Sequence, residues 1–456
     1  MKSFVLLLLS FSFTFSYAQK KIGTETAEQK KQRLSWWVND RFGMFIHWGL
    51  YSLPARHEWV KNRERLTDDQ YKVYLDEFNP DLYDPKSWAK QAKQAGMKYA
   101  VITTKHHEGF CLFDSKFTDY KATATQAKRD LIKEFVDAFR AEGLKVGFYY
   151  SLIDWHHPDF TIDRVHPQRL DNGSQASYDS LNKGRDMEKY RTYLFNQVRE
   201  LLTNYGKIDI IWFDFSYPGK FGKGRDDWNS IELLKMTRKL QPGIIIDNRL
   251  DLNDYEDGFD FVTPEQYKAS EWPVVNGQRV AWETCQTFSG SWGYFRDETS
   301  WKSNAQLLEL LIESVSKGGN LLLNVGPTAR GVIDHRAEDR LESMGEWMKY
   351  NGKSVYGCTQ APAEWKVPDN TLLTYNPVTK KLYLHLLTYP LDALVLPGYK
   401  GKIKYAQFLH DNSEIKFNAR RPNEFSSSKE ETNDIVLRLP VQKPNTEIPV
   451  IELTLQ

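Results

Sequence analysis

Between about residue 40 and residue 330 the chain alternates two textures, and this alternation narrows its possible folds more than any other feature. One texture is a short run rich in β-branched and aromatic residues. The other is a longer stretch with apolar residues at helical spacing. The short runs are "FGMFIHWG" from Phe42, "YAVITTKHH" from Tyr99, "KVGFYYS" from Lys145, "IDIIWFDF" from Ile208, "GIIIDNR" from Gly243, "DFVTPEQ" from Asp260, "VAWETCQ" from Val280 and "NLLLNVG" from Asn320. Several are apolar on both faces, as buried parallel strands are. Between them, "DPKSWAKQAKQAGM" has Pro85 suited to a first helical turn and Gly96 to a stop. "RDLIKEFVDAFRAEG" repeats the pattern with Leu131, Ile132, Phe135, Val136 and Phe139. Eight strands with intervening helices predict an α/β fold of the (β/α)8 TIM-like barrel type. A doubly wound open sheet would also alternate, but it needs a glycine-rich phosphate turn after its first strand, and "HWGLYSLP" is not one.

After about residue 355 the helical patterns stop and short alternating runs take over, among them "LLTYNPVTKKLYLHLLTY", "DIVLRLPV" and "PVIELTLQ". "NPVTKK" marks a hairpin turn. The expected organisation is therefore a catalytic barrel over 19–355 and a C-terminal β-sandwich over 356–456. Residues 1–18 form a signal peptide: Lys2, an apolar stretch from Phe4 to Phe15, and the small residues Ser16 and Ala18 before the cut. That stretch is too short for a membrane span. An exported protein, periplasmic or secreted, is expected, with no span left after cleavage.

Charge is nearly balanced, 61 Lys and Arg against 60 Asp and Glu, and no basic run suggests nucleic acid. The three cysteines, Cys111, Cys285 and Cys358, form neither a disulfide framework nor a zinc pattern and read as isolated buried thiols. Aromatic residues make up 14% of the chain, with 14 tryptophans. Such faces cover the C–H faces of sugars, although core packing is the first reading for any single tryptophan.

A barrel places chemistry at the carboxyl ends of its strands, where His47, His106, His107, Asp214, Arg249 and Glu265 collect. Asp214 ends an almost unbroken apolar run between two phenylalanines, a costly place for a carboxylate unless its charge is stabilised. Asp214 and Glu265, at the ends of the fourth and sixth strands, converge on one mouth. Paired carboxylates across a pocket are the equipment of glycoside hydrolysis, provided their environments split their acidities. The histidines could instead bind a metal with a carboxylate. Adjacent histidines on a strand point to opposite faces unless the backbone bends, however, and imidazoles also bind sugar hydroxyls well. Glu58 and Trp59, in the loop after the first strand, could accept hydroxyls and cover an apolar sugar face.

Taken in order, "FIHWGLYSLP", "EWV", "TTKHHEGFCLFDS", "GFYYSLIDW", "IIWFDF", "DNR", "TPEQ", "WETC…SWGY" and "SKGGNLLLNVGP" resemble the α-L-fucosidases of glycoside hydrolase family 29, from about residue 30 to residue 355. The resemblance implies a retaining exo-hydrolase of fucosylated oligosaccharides or glycoconjugates, with no metal and no cofactor. The nucleophile it implies is Asp214, two positions after Trp212; the usual small residue that follows is replaced by Phe215. The general acid/base is implied at Glu265, with Glu283 in "AWETC" as the competitor; Glu265 is preferred because it ends a strand. His47, Glu58, Trp59, His106, His107 and Arg249 are implied around the fucose hydroxyls. Phe45, Tyr150, Trp212 and Trp292 are implied as an apolar wall for the C6 methyl. His106 or His107 is expected to stabilise the Asp214 charge. The competing readings are a metal-dependent barrel hydrolase and a fucose-binding protein without catalysis.

Overall fold

The computed structural model describes residues 20–268, 270–419 and 432–456; the expected signal peptide lies outside them. The chain builds an α/β fold around a curled parallel sheet. Its strands are β1 (Phe42–Ile46), β2 (Tyr99–Lys105), β3 (Lys145–Ser151), β4 (Ile210–Asp214) and β5 (Ile245–Ile246). After a small antiparallel hairpin of β6 (Val274–Val275) and β7 (Gln278–Arg279) come β8 (Glu283–Thr287) and β9 (Asn320–Val325). The parallel sheet runs in the order β5-β4-β3-β2-β1-β9-β8. Parallel neighbours need long crossovers, and helices supply several of them. Pro85–Gln94 is capped by Asp84 and stops before Gly96, whose φ of 89° suits a residue without a side chain. Leu131–Ala141 buries Leu131, Ile132, Phe135, Val136 and Phe139 against the sheet's outer core.

Seven of the eight expected strands thus join the sheet. The eighth, from Asp260, appears as isolated parallel bridges: Asp247 with Phe261, Val262 with Trp282, and Glu265 with Cys285. This extended segment lies between the β5 edge and the β8 edge. The inner face of the sheet packs Phe45, Tyr99, Val101, Tyr149, Ile210, Trp212, Ile245, Phe261, Cys285 and Leu322 into one core. The outer face packs a separate and larger core against the helices.

The last stretch is antiparallel. One five-stranded sheet runs β10 (Thr359–Gln360), β11 (Thr371–Asn376), β12 (Lys381–Leu386), β17 (Val450–Leu455), β14 (Ile403–Phe408). A three-stranded sheet runs β13 (Ala393–Leu396), β16 (Ile435–Arg438), β15 (Phe417–Ala419). Asn376 and Lys381 pair across the expected hairpin, and Asn376 Oδ1 accepts from the amides of Val378 and Thr379, both at 3.0 Å. These sheets share a core of their own, with Leu382, Leu384, Leu396, Leu437 and Ile451. They attach to the preceding helix, whose Trp347 Nε1 donates to Ile448 O at 2.9 Å. All three cysteines are free and buried. Among the described residues no helix is long and apolar enough to cross a membrane.

Candidate active site

Because the seven strands are parallel, their carboxyl ends open on one side, and the side chains there line a cavity of about 420 Å³. Strand parity decides who takes part. Trp212 and Asp214 are two apart on β4 and share a face. β3 pairs Tyr149 with Trp212, so Tyr149 shares that face too and lines the cavity. The expected Tyr150 does not. It points to the opposite face, where its hydroxyl donates to Gln197 Oε1 at 2.9 Å and its ring lies 4.6 Å from Lys105 Nζ. The wall of the cavity is Phe45, Trp212, Trp292 and Tyr149, with the Phe45 ring 5.2 Å from Trp212 and 6.0 Å from Trp292.

His106 and His107 both face the cavity although they are adjacent in sequence. β2 loses register against β3 between Thr103 and Lys105 and then ends, so neither histidine is bound by strand alternation. Their ring centroids are 4.0 Å apart. Burial pushes both imidazoles well below the usual range, and pushes His47 down to about 3. All three are therefore neutral near neutral pH. Asn324 donates through Nδ2 to Trp292 O at 2.7 Å, which makes its Oδ1 the acceptor for His47 Nδ1–H at 2.6 Å. Ser151 donates to Ile153 O at 2.6 Å, so His107 Nδ1–H donates to Ser151 Oγ at 2.8 Å. Both rings are left with an unprotonated Nε2, a ready acceptor for a sugar hydroxyl.

Asp214 is buried, and two donors hold its charge. Arg249 Nη1 donates to Oδ1 at 2.9 Å, and the Tyr149 hydroxyl donates to Oδ2 at 2.6 Å. Burial pushes this carboxyl up, and Glu265 adds to that; Arg249 and Tyr149 work against it. The expectation that His106 or His107 supplies the stabilising donor is corrected: His107 Nε2 stands 3.7 Å from Oδ2, and His106 Nδ1 has no hydrogen-bond partner. Arg249 also lies over the Trp212 ring at 4.6 Å, and its Nη2 is 3.6 Å from Glu265 Oε2. One guanidinium thus bridges the two carboxylates. Glu265, about half exposed at the rim, accepts from Trp292 Nε1 at 3.0 Å.

Glu283 has no place in this cavity. It opens β8 at the other end of the sheet, fully buried, with the Tyr99 hydroxyl donating to it, and burial pushes it up to about 8. Glu58 lines the cavity. Its Oε2 accepts from the Gly293 amide at 3.0 Å, the Trp292 amide at 3.2 Å and Ser291 Oγ at 3.2 Å. It therefore ties down the loop that carries Trp292, while burial pushes it up to about 7. The Trp59 ring stands 5.3 Å from His107 and 5.4 Å from Phe215. Phe215, directly after Asp214, has φ 83°, a conformation that favours glycine. Sequence reasoning missed Tyr149, His57, Asn62, Arg63, Gln266 and Cys285, all of which line the cavity. Parity counted from Trp212 would have found Tyr149; Cys285 lies within β8, and the residues between strands carry no such signal. Among the described residues no three His, Cys, Asp or Glu side chains gather in a set able to hold a metal.

The sequence profile described as alpha-L-fucosidase matches residues 11–353. The chain is 30% identical over 403 residues to the plasma alpha-L-fucosidase of Homo sapiens, covering 82% of this chain and 80% of that protein. Its structure superposes with a TM-score of 0.85 and 46% identity on alpha-L-fucosidase isoenzyme 1 from Paenibacillus thiaminolyticus, covering 94% of this chain and 99% of the other. A GH29 alpha-L-fucosidase from Bacteroides thetaiotaomicron, solved as a trapped covalent intermediate with 2-fluoro-fucosyl fluoride, superposes with a TM-score of 0.78 and 27% identity over 98% of this chain and all of that one. Sequence, fold and cavity agree, and the chain belongs to the alpha-L-fucosidase family.

Proposed function

We propose that the protein is an exo-acting, retaining α-L-fucosidase that releases terminal α-L-fucose from glycans by double displacement. The observation that carries this reading is the meeting of Asp214 and Glu265 on one cavity, joined through Arg249. In the first step an Asp214 oxygen attacks C1 of the fucosyl group while Glu265 gives its proton to the departing glycosidic oxygen. A β-fucosyl ester on Asp214 and a free alcohol result. In the second step Glu265 takes a proton from water, the water oxygen attacks C1, and the ester bond breaks to restore the carboxylate and give α-L-fucose. Two inversions leave the anomeric configuration unchanged.

The remaining residues fit the sugar. His47, His106, His107, Glu58, Trp59 and Arg249 hold the ring hydroxyls. Phe45, Trp212, Trp292 and the ring of Tyr149 form the wall for the C6 methyl. Such a wall leaves an added hydroxyl unpaired and discriminates against it by about 10²-fold. The same reading takes the 261–265 bridges as the closure of an eight-membered parallel barrel over 19–355, followed by a sandwich over 356–456. Residues 1–18 direct export.

The test is turnover of a chromogenic aryl α-L-fucoside, with the first-formed sugar anomer followed by proton NMR. Release of α-L-fucose ahead of mutarotation is expected. No turnover, or β-L-fucose first, overturns the reading. A metal centre on the histidines would make turnover sensitive to chelation; the double displacement proposed here is insensitive to it.

A further inference from the structure

A second cavity, of about 380 Å³, opens beside the first. Its walls come from the chain after β1, with Lys61 and Asp68, and from the long connection after β3, with Trp155, His156, His166, Lys183 and Arg185. Trp155 separates the two cavities: its ring stands 5.1 Å from Trp59 and 5.3 Å from His107, both of which line the first one.

The lining holds three cations, Lys61, Lys183 and Arg185, against one carboxylate, Asp68. That carboxylate is already engaged, since Lys61 Nζ donates to its Oδ1 at 2.7 Å and His156 Nδ1 lies 3.4 Å away. Arg185 spends Nη1 on the carbonyls of Phe160 at 2.7 Å and Pro158 at 3.0 Å. Among the described residues its Nε and Nη2 have no hydrogen-bond partner, and no carboxylate pairs with it. The Lys183 ammonium, exposed at the edge, has no side-chain partner among the described residues either. His166 Nδ1 accepts from the Gln168 amide at 3.0 Å, which places the ring proton on Nε2. Burial, with Arg185, Lys61 and Lys223 nearby, holds this ring neutral down to about pH 3. The cavity therefore offers a free guanidinium edge, a free ammonium and an imidazole N–H; beyond the engaged Asp68, the one further carboxylate whose charge is felt at Arg185 is Asp159, which does not line the cavity.

We propose that this second cavity is a subsite for an oxyanion, a sulfate ester or a carboxylate, carried by the group to which the fucose is attached. The inference rests on the fucosidase reading of the first cavity. A guanidinium presents parallel N–H groups that match two oxygens of such an anion, and lysine adds a point charge. A neutral aglycone gains nothing from these groups, so charge on the aglycone is what the subsite selects.

The experiment compares kcat/KM for a neutral α-L-fucosyl disaccharide and for its sulfated and uronic-acid counterparts, in the wild type, Lys183→Glu and Arg185→Gln. The wild type is expected to prefer the anionic substrates, with a preference that shrinks as sodium chloride is raised. Each substitution is expected to lower the anionic-to-neutral ratio by about fivefold. No preference in the wild type, or a preference that survives both substitutions, overturns the proposal. Inorganic sulfate that raises the wild-type Tm without any substrate preference marks a site for a free anion and also counts against it. Failure to turn over even the neutral disaccharide would instead sink the fucosidase reading. Sulfate titration then reads the cavity alone: a Tm rise lost in Lys183→Glu supports an oxyanion site, and no rise overturns it.

Discussion

The Tyr149 hydroxyl donates to Asp214 Oδ2 at 2.6 Å, in a pocket where burial alone would push the carboxyl up. Removing that donor in Tyr149→Phe leaves Arg249 as the only side-chain donor on Asp214 among the described residues. A hydrogen bond to a charged group contributes about 1.5–3 kcal/mol, so kcat/KM should fall by about ten- to a hundredfold. The acidic limb of the pH–rate profile should also move to higher pH, because Asp214 must be ionised to attack and would now hold its proton longer. An unshifted limb would mean that Tyr149 does not act through Asp214.

Asp214→Gly should lower turnover of an aryl fucoside by roughly 10⁴-fold or more. Added azide should restore it in part by entering the space left by the carboxylate, and the product should be β-L-fucosyl azide, formed by one inversion. Mass spectrometry and NMR of the product check this.

Glu265→Ala should slow poor leaving groups far more than good ones, since only poor ones need the proton. A plot of log kcat/KM against leaving-group pKa should steepen relative to the wild type. The same plot for Glu283→Ala should keep the wild-type slope.

Glu283 affects stability instead. Its folded-state value of about 8 exceeds its ordinary 4.5 because burial penalises the charge. Between those two values the folded chain binds more protons than the unfolded one, so this group makes stability fall as pH rises from about 4.5 to about 8. Glu283→Gln keeps the shape and removes the titration. Its Tm should decline less than that of the wild type over this range, as read by differential scanning calorimetry.

Phe215 combines a φ of 83° with ring contacts to His107 at 4.9 Å and Tyr217 at 4.9 Å. Alanine and glycine both remove the ring, but only glycine relaxes the backbone. Phe215→Gly should therefore be more stable than Phe215→Ala by about 1 kcal/mol in urea unfolding. Equal stabilities would show that the turn is not strained.

The parallel sheet was legible because its strands are continuous apolar runs and its helices begin and end on residues such as Asp84, Pro85 and Gly96. The extended 261–265 segment was legible as a strand, but it makes only isolated bridges. The hairpin of β6 and β7 went unread although Asn276 and Gly277, both at positive φ, are its signature turn. In the site, strand ends announced Asp214 and Glu265. The Tyr150 expectation erred by one residue, which on a strand reverses the face. His106 and His107 come together through a register break that no local pattern reveals. His57, Asn62 and Arg63 depend on the path of the connection after β1, whose short helix Val60–Arg63 carries the last two and which tertiary packing sets.

Arg249 faces two acids whose proposed duties alternate. Once Asp214 is esterified it carries no charge, and the guanidinium's field falls undivided on Glu265. When the ester is cleaved, the field is shared again. In the proposed cycle one fixed cation therefore stands beside both acids at every stage.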